Sequence, residues 1–312
     1  MPDRRPPIIA EGTLGSTLGQ ILIPMITPFR ENGDLNGDYA ASLADHLITN
    51  GLCDSLVVTG TTGEFNTLSF DERVSVMETV AETNRGRVPL VAGTGAASTR
   101  EAIALSRIAE KAGYNALMVV APYYCRPTQE GIYRHYVAIA ESVRVPVMLY
   151  NIPLFTGVNV APETVARLAQ IPNISGIKDE AGINPTQMTE YRNAVDGDFT
   201  IYNGDDIMIL CGLVQGAAGV VSGCAHVLGP QIRGMIDSFL SGDLQAAHAI
   251  HLSLDPFFKA LCPNGRINPM PVLRAALEEA GLPVGPPRLP LDTATPDERA
   301  TIRGHLERLG VV

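Results

Sequence analysis

Eight short apolar runs recur along the chain, each separated from the next by a stretch long enough to form a helix. They lie at 21–26, 55–58, 89–92, 116–120, 147–150, 174–178, 200–203 and 218–222. Several are continuous rather than alternating, which suits strands covered on both faces, as in a parallel sheet. The stretches between them carry helix signals. Apolar residues at 39, 43, 47 and 48 predict a helix over 35–50 that stops at Gly51. Ser69-x-x-Glu72 and Ser98-x-x-Glu101 are capping boxes that open two more. Further helices are expected over 130–143, 162–169, 185–194 and 205–215. Eight such alternations with short connections favour an α/β fold of the TIM (β/α)8 barrel type. The rival is an open doubly wound sheet. It would place a glycine-rich phosphate turn after the first strand, where this chain has Pro24 to Phe29.

Beyond about residue 240 the strand pattern stops. Helices are expected over 243–261, 269–280 and 296–309, the last opened by the capping box Thr295-x-x-Glu298. The expected organisation is a flexible N-terminal arm (1–18), a barrel (19–241) and a C-terminal three-helix appendage (242–312). The arm is rich in Pro and Gly and lacks the apolar centre of a signal peptide. No run approaches the ~20 apolar residues of a membrane span.

Composition narrows the partners. The 312 residues carry 23 Lys and Arg against 33 Asp and Glu, a net charge of −10. That balance argues against nucleic acid or an anionic membrane as partner. An anionic substrate must therefore be held locally, by backbone N–H groups or a few hydroxyls. Five cysteines, with no CxxC pair, read as reduced thiols of a cytoplasmic protein. The six histidines are dispersed and form no HExxH, so no metal is expected.

In a (β/α)8 barrel the chemistry sits at the C-terminal strand ends. The sixth run ends in Lys178, followed by Asp179 and Glu180. Burial disfavours an ammonium, and a neutral amine condenses with ketones to a Schiff base. The alternative is a rim lysine paired with Asp179 or Glu180. The fifth run ends in Tyr150, a candidate proton carrier beside Lys178 or a plain hydrogen-bonded barrel tyrosine. Gly60-Thr61-Thr62-Gly63 after the second run can hold a carboxylate through N–H groups and hydroxyls, or be an ordinary turn. Gly93-Thr94-Gly95 reads better as close packing than as a ligand loop. Tyr123-Tyr124 ends the fourth run, as a site element or as packing at a lid or subunit contact.

In their order and spacing, Gly60-Thr61-Thr62-Gly63-Glu64, Gly93-Thr94-Gly95, Ala121-Pro122-Tyr123-Tyr124, Tyr150-Asn151-Ile152-Pro153, Thr156-Gly157, Gly176-Ile177-Lys178-Asp179 and Gly204-Asp205-Asp206 resemble the dihydrodipicolinate synthase/N-acetylneuraminate lyase family. The resemblance runs from about Gly19 to Leu309. It implies a class I aldolase or lyase on a TIM barrel, commonly a tetramer of tight dimers, with no cofactor beyond the covalent Schiff base. By resemblance, Lys178 binds pyruvate or another 2-oxo acid, and Tyr150 is the acid/base at the reacting bond. Thr62 and Tyr124 match a relay to solvent, Tyr124 reaching in from the neighbouring subunit. The N–H groups of Thr61 and Thr62 match a keto-acid carboxylate site, and Gly204 and Val221 match pocket positions.

One departure shapes the substrate expectation. Synthases of this family carry an arginine immediately before Thr156-Gly157, and here Phe155 stands there. A phenyl ring cannot grip a carboxylate as a guanidinium does, a difference of about 2–5 kcal/mol in binding. Phe70, Arg73 and Ala97 replace the polar or imidazole side chains of a lysine-feedback site, so lysine inhibition is not expected. The expected substrate is thus a hydroxy 2-oxo acid of the 2-keto-3-deoxy sugar acid or 4-hydroxy-2-oxoglutarate type. The alternative is 4-hydroxy-tetrahydrodipicolinate synthesis itself. A non-catalytic keto-acid sensor would be expected to lack Lys178 or Tyr150, and both are present.

Overall fold

The computed structural model describes residues 9–180, 182, 184–265 and 267–312. The apolar runs become β1 (Ile21–Pro24), β2 (Ser55–Val58), β3 (Leu90–Gly93), β4 (Ala116–Val120), β5 (Val147–Asn151), β6 (Ile174–Asp179), β7 (Thr200–Asn203) and β8 (Gly219–Val221). They are joined in chain order into a closed barrel. Every strand position is buried except Ser175, which is half-buried, so continuous apolar runs are what these strands require.

The helices are α1 (Leu14–Leu18), α2 (Gly37–Thr49), α3 (Phe70–Asn84), α4 (Thr99–Lys111), α5 (Gln129–Ala140), α6 (Pro153–Thr156), α7 (Pro162–Leu168), α8 (Gln187–Ala194), α9 (Ile209–Val214), α10 (Ala225–Ser241), α11 (Leu244–Ala260), α12 (Met270–Glu279) and α13 (Pro296–Arg308). The Ser69–Glu72 and Thr295–Glu298 capping boxes are both formed reciprocally. The helix expected over 205–215 opens instead as a 3-10 turn, Asp206–Met208, before α9. Three helices had no sequence expectation: α1, α6 and α10. The longest, α10, contains Pro230 and a non-helical Leu228, which break its periodicity.

The chain clusters into two compact units. One holds α1, β4–β8 and α5–α9, together with most of α4. Of the expected arm, residues 1–8 lie outside the described residues; in the remainder Leu14 and Leu18 are buried, and Gly15 N–H donates to Thr200 Oγ1 at 3.0 Å. Burying two leucines is worth roughly 1.5–3 kcal/mol each, enough to hold a one-turn helix in place. The Tyr202 hydroxyl donates to Gly19 C=O at 2.6 Å and fastens the same segment.

The other unit holds β1–β3, α2, α3 and α10–α13. Within it α12 is buried from Met270 through Leu277, as a helix at the centre of a bundle must be. Its one charged residue in that stretch, Arg274, is 2 % exposed. Arg274 Nε donates to Glu64 Oε1 at 2.6 Å, Nη1 to Val284 and Gly285 C=O, and Nη2 to Thr27 C=O. This one guanidinium ties the segments after β1, β2 and α12 together. No helix among the described residues is long and apolar enough to cross a membrane.

Candidate active site

Lys178 lies opposite Tyr150 across the β5–β6 ladder and opposite Tyr202 across the β6–β7 ladder. Side chains alternate along a strand, so Lys178 and Asp179 project from opposite faces. Asp179 Oδ1 accepts from Asn151 Nδ2 at 3.0 Å and Gln187 Nε2 at 3.2 Å. Lys178 Nζ lies 3.0 Å from Glu180 Oε2 and 3.9 Å from the centroid of the Tyr150 ring. The Tyr150 hydroxyl donates to the same Glu180 oxygen at 2.8 Å. Lys178 is 5 % exposed and Tyr150 2 %, so this is no rim lysine. The rim reading was right about one partner, Glu180, and wrong about the surroundings. A carboxylate and a ring face offset the loss of hydration that burial imposes on the ammonium.

Gly204, just after β7, belongs to the same cluster. Its N–H donates to Asp179 C=O at 2.8 Å, and a Cβ placed on it would lie 2.4 Å from Lys178 Cε. A side chain there would have to displace the lysine stem and would crowd Glu180 Cβ at 3.0 Å. Asp205 follows. Burial first, then the charges of Glu180 and Asp206, push its carboxyl up to about 6, against a smaller downward pull from Lys178. Val221, also expected at the site, is buried at the end of β8.

Phe155 sits on α6 and is 37 % exposed. The Thr156 hydroxyl closes the turn behind it, donating to Ile152 and Val158 C=O. An arginine does reach this loop from elsewhere: Arg126 Nε donates to Gly157 C=O at 3.2 Å. Tyr124 is 94 % exposed with φ +69°, a left-handed conformation that tyrosine rarely adopts. Among the described residues its ring is left almost fully open.

The segment after β2 carries Thr61, half-buried, and Thr62, 9 % exposed. Glu64 N–H donates to Thr61 C=O at 3.0 Å and closes a tight turn. Glu64 itself, grouped by motif with this loop, is 1 % exposed and spent on Arg274. Gly93 and Gly95 serve close packing as expected. Added Cβ atoms would lie 2.4 Å from Thr59 C=O and 2.6 Å from Val120 Cγ1 respectively. Arg73 is also structural, buried with Nη2 on Gly93 C=O at 2.8 Å.

Glu180 is the site residue that motif reading missed as an actor. The available signal was a second acid directly after Lys178-Asp179, at the position alternation returns to the lysine's face.

Comparison with known proteins decides the family. Residues 17–309 match the dihydrodipicolinate synthetase family. The chain belongs to that family. A 4-hydroxy-tetrahydrodipicolinate synthase of Desulforudis audaxviator is 48% identical over 285 residues, covering 91% of this chain and 95% of the relative. The crystal structure of a Bacillus anthracis dihydrodipicolinate synthase is 40% identical with a TM-score of 0.87, covering 93% of this chain and 98% of that one. The structure of the Cyanidioschyzon merolae enzyme with lysine bound is 37% identical with a TM-score of 0.89, covering 95% and 99%. As a member of the dihydrodipicolinate synthetase family this protein is a class I aldolase, a carbon–carbon lyase that works on pyruvate.

Proposed function

We propose that the protein forms a Schiff base between Lys178 and pyruvate and condenses the resulting enamine with aspartate semialdehyde, as a 4-hydroxy-tetrahydrodipicolinate synthase. The observation that carries the chemistry is Lys178 Nζ, buried and set 3.9 Å from the Tyr150 ring at adjacent strand ends. The names of the most similar relatives carry the second substrate and favour it over the hydroxy 2-oxo acid that the sequence led us to expect. Once the imine forms, its protonated nitrogen draws electrons from the neighbouring carbon and makes a carbanion accessible there. The covalent link does the work of a cofactor.

The remaining roles follow the family pattern. Tyr150 moves protons at the reacting bond. Thr62 and Tyr124 connect it to solvent, Tyr124 being supplied by a neighbouring copy in a homodimer or tetramer. Its 94 % exposure and strained backbone support that role. The N–H groups of Thr61 and Thr62 hold the keto-acid carboxylate. Gly204 and Val221 line the pyruvate pocket, and Phe155 faces the second substrate.

A second reading keeps the imine and changes the partner. Phe155 offers no positive charge, and Glu180 and Asp205 add negative charge beside Lys178. A carboxylated aldehyde would be repelled there, so cleavage of a hydroxy 2-oxo acid whose aldehyde half is uncharged, of the 2-keto-3-deoxy sugar acid type, is the competing activity. A substrate panel separates the two. The synthase reading expects turnover of pyruvate with aspartate semialdehyde, improved by Phe155→Arg. Turnover of hydroxy 2-oxo acids alone, abolished by Phe155→Arg, would reverse the order.

A further inference from the structure

Glu180 holds both groups that the Schiff-base reading needs, through one atom. Its Oε2 accepts from the Tyr150 hydroxyl at 2.8 Å and lies 3.0 Å from Lys178 Nζ. Its backbone is fixed too, since Glu180 N–H donates to Asn151 C=O at 2.9 Å. The Lys178 side chain is 6% exposed and the Glu180 side chain 29%, so the carboxylate stands between a buried amine and water. A structural ion pair would have no reason to include the tyrosine. A proton acceptor for both would.

We propose that Glu180 is a catalytic acid/base residue, the group that deprotonates Lys178 for attack and returns the proton to the departing water. The inference rests on Lys178 being the nucleophile. At rest the pair is an ammonium and a carboxylate. As a 2-oxo acid enters, Glu180 takes one proton, leaving a neutral amine and a carboxylic acid. The amine nitrogen bonds to the ketone carbon, whose oxygen gains a proton as the nitrogen loses one, a shift that the Tyr150 hydroxyl can relay. The carbinolamine C–O bond then breaks. Its hydroxyl leaves as water with the proton from Glu180, giving the iminium and restoring the carboxylate. One proton is borrowed and returned, and no outside reactant is needed.

The charged and titratable groups around Glu180 are Lys178 on β6, which ends just before it, Tyr150 on β5, and Asp205 with its neighbour Asp206 after β7. The two aspartates add acidic side chains on the side of Glu180 away from β5. They also keep the site anionic, which makes a held proton useful rather than incidental.

The experiment follows the rate of borohydride trapping of pyruvate on the full-length protein across pH, for wild type, Glu180→Gln and Glu180→Asp. Each is checked by circular dichroism and thermal melting. Glu180→Gln keeps the shape and both hydrogen-bond contacts but cannot take a proton. Its trapping is expected to fall about 100-fold near neutral pH, the usual scale for one acid/base group. Its rate should climb steadily with pH as hydroxide replaces the carboxylate, whereas the wild-type rate should stay comparatively level. Glu180→Asp should recover part of the rate and the level profile. Glu180→Gln trapping at the wild-type rate with the wild-type profile overturns this inference and leaves Lys178 as nucleophile. Wild type that traps pyruvate elsewhere than Lys178 overturns the Schiff-base reading and the role of Glu180 with it.

Discussion

Arg274 and Lys178 each carry a positive charge into a dry interior beside a glutamate, and the two pairs are finished differently. Arg274 and Glu64 are 2 % and 1 % exposed, and the guanidinium spends its donors on Glu64 and on three backbone carbonyls, with the Phe29 ring 5.0 Å from Cζ. Glu64 is held at φ +53° to complete the pair, and its second oxygen accepts from Arg288 N–H at 3.1 Å. Both side chains of that pair are held by several hydrogen bonds at once. Lys178 meets one carboxylate oxygen and one ring face among the described residues, and the Glu180 side chain is 29% exposed. The first pair is closed and joins segments. The second is open toward water and holds the proposed nucleophile. Burial of a charged pair therefore says little about purpose until the remaining donors and exposures are followed.

Substitutions can break this contrast, and the largest effect should fall on chemistry. Lys178→Met is expected to lower turnover by more than about 10³-fold, since it removes the amine proposed to form the imine. Thermal melting should change little, because Glu180 stays partly hydrated. Arg274→Met should do the reverse. Leaving Glu64 charged and buried costs about 3–5 kcal/mol in a denaturant titration, while the protein that remains folded keeps its KM for pyruvate. If Arg274→Met loses activity without losing stability, the structural assignment of that pair fails.

Smaller effects sharpen the boundary between the two regions. Gly204→Ala would drive a methyl into the Lys178 stem at 2.4 Å. Displacing the amine from attack geometry should cut pyruvate trapping about 10- to 100-fold, with a stability cost of about 1–3 kcal/mol. A trapping rate equal to wild type would mean that Lys178 has room to move. The smallest effect belongs to Glu72. The hydrogen-bonded Arg288 guanidinium holds its carboxyl down to about 2, below the ordinary 4.5. A depressed carboxyl stabilises the fold above about 4.5, and that contribution is lost as pH falls through about 2. Glu72→Gln should thus be less stable than wild type at neutral pH, with the gap closing in acid. A constant gap across pH would show that charge is not what Glu72 contributes.

The barrel was legible because parallel strands buried on both faces are written as apolar runs, and each run located its strand to within two residues. Helices with caps and clean periodicity were equally plain. What escaped was broken by local chemistry, as with Pro230 in α10, or too short to show a period, as with α1 and α6. In the site, Lys178 and Tyr150 could be read because strand ends announce themselves, and the β5–β6 register then sets the two side by side. Glu180 looked like a counter-ion because sequence does not show that one of its oxygens meets both Tyr150 and Lys178. The Arg274–Glu64 pair was beyond reach for a simpler reason: its partners lie 210 positions apart.

The proposed chemistry requires that Lys178, and not another amine, forms the imine. Wild-type protein treated with pyruvate and borohydride should gain one reduced adduct per chain, and peptide mapping should place it on Lys178, with none formed in Lys178→Met. An adduct on a different lysine, or an unchanged yield in Lys178→Met, would contradict the account.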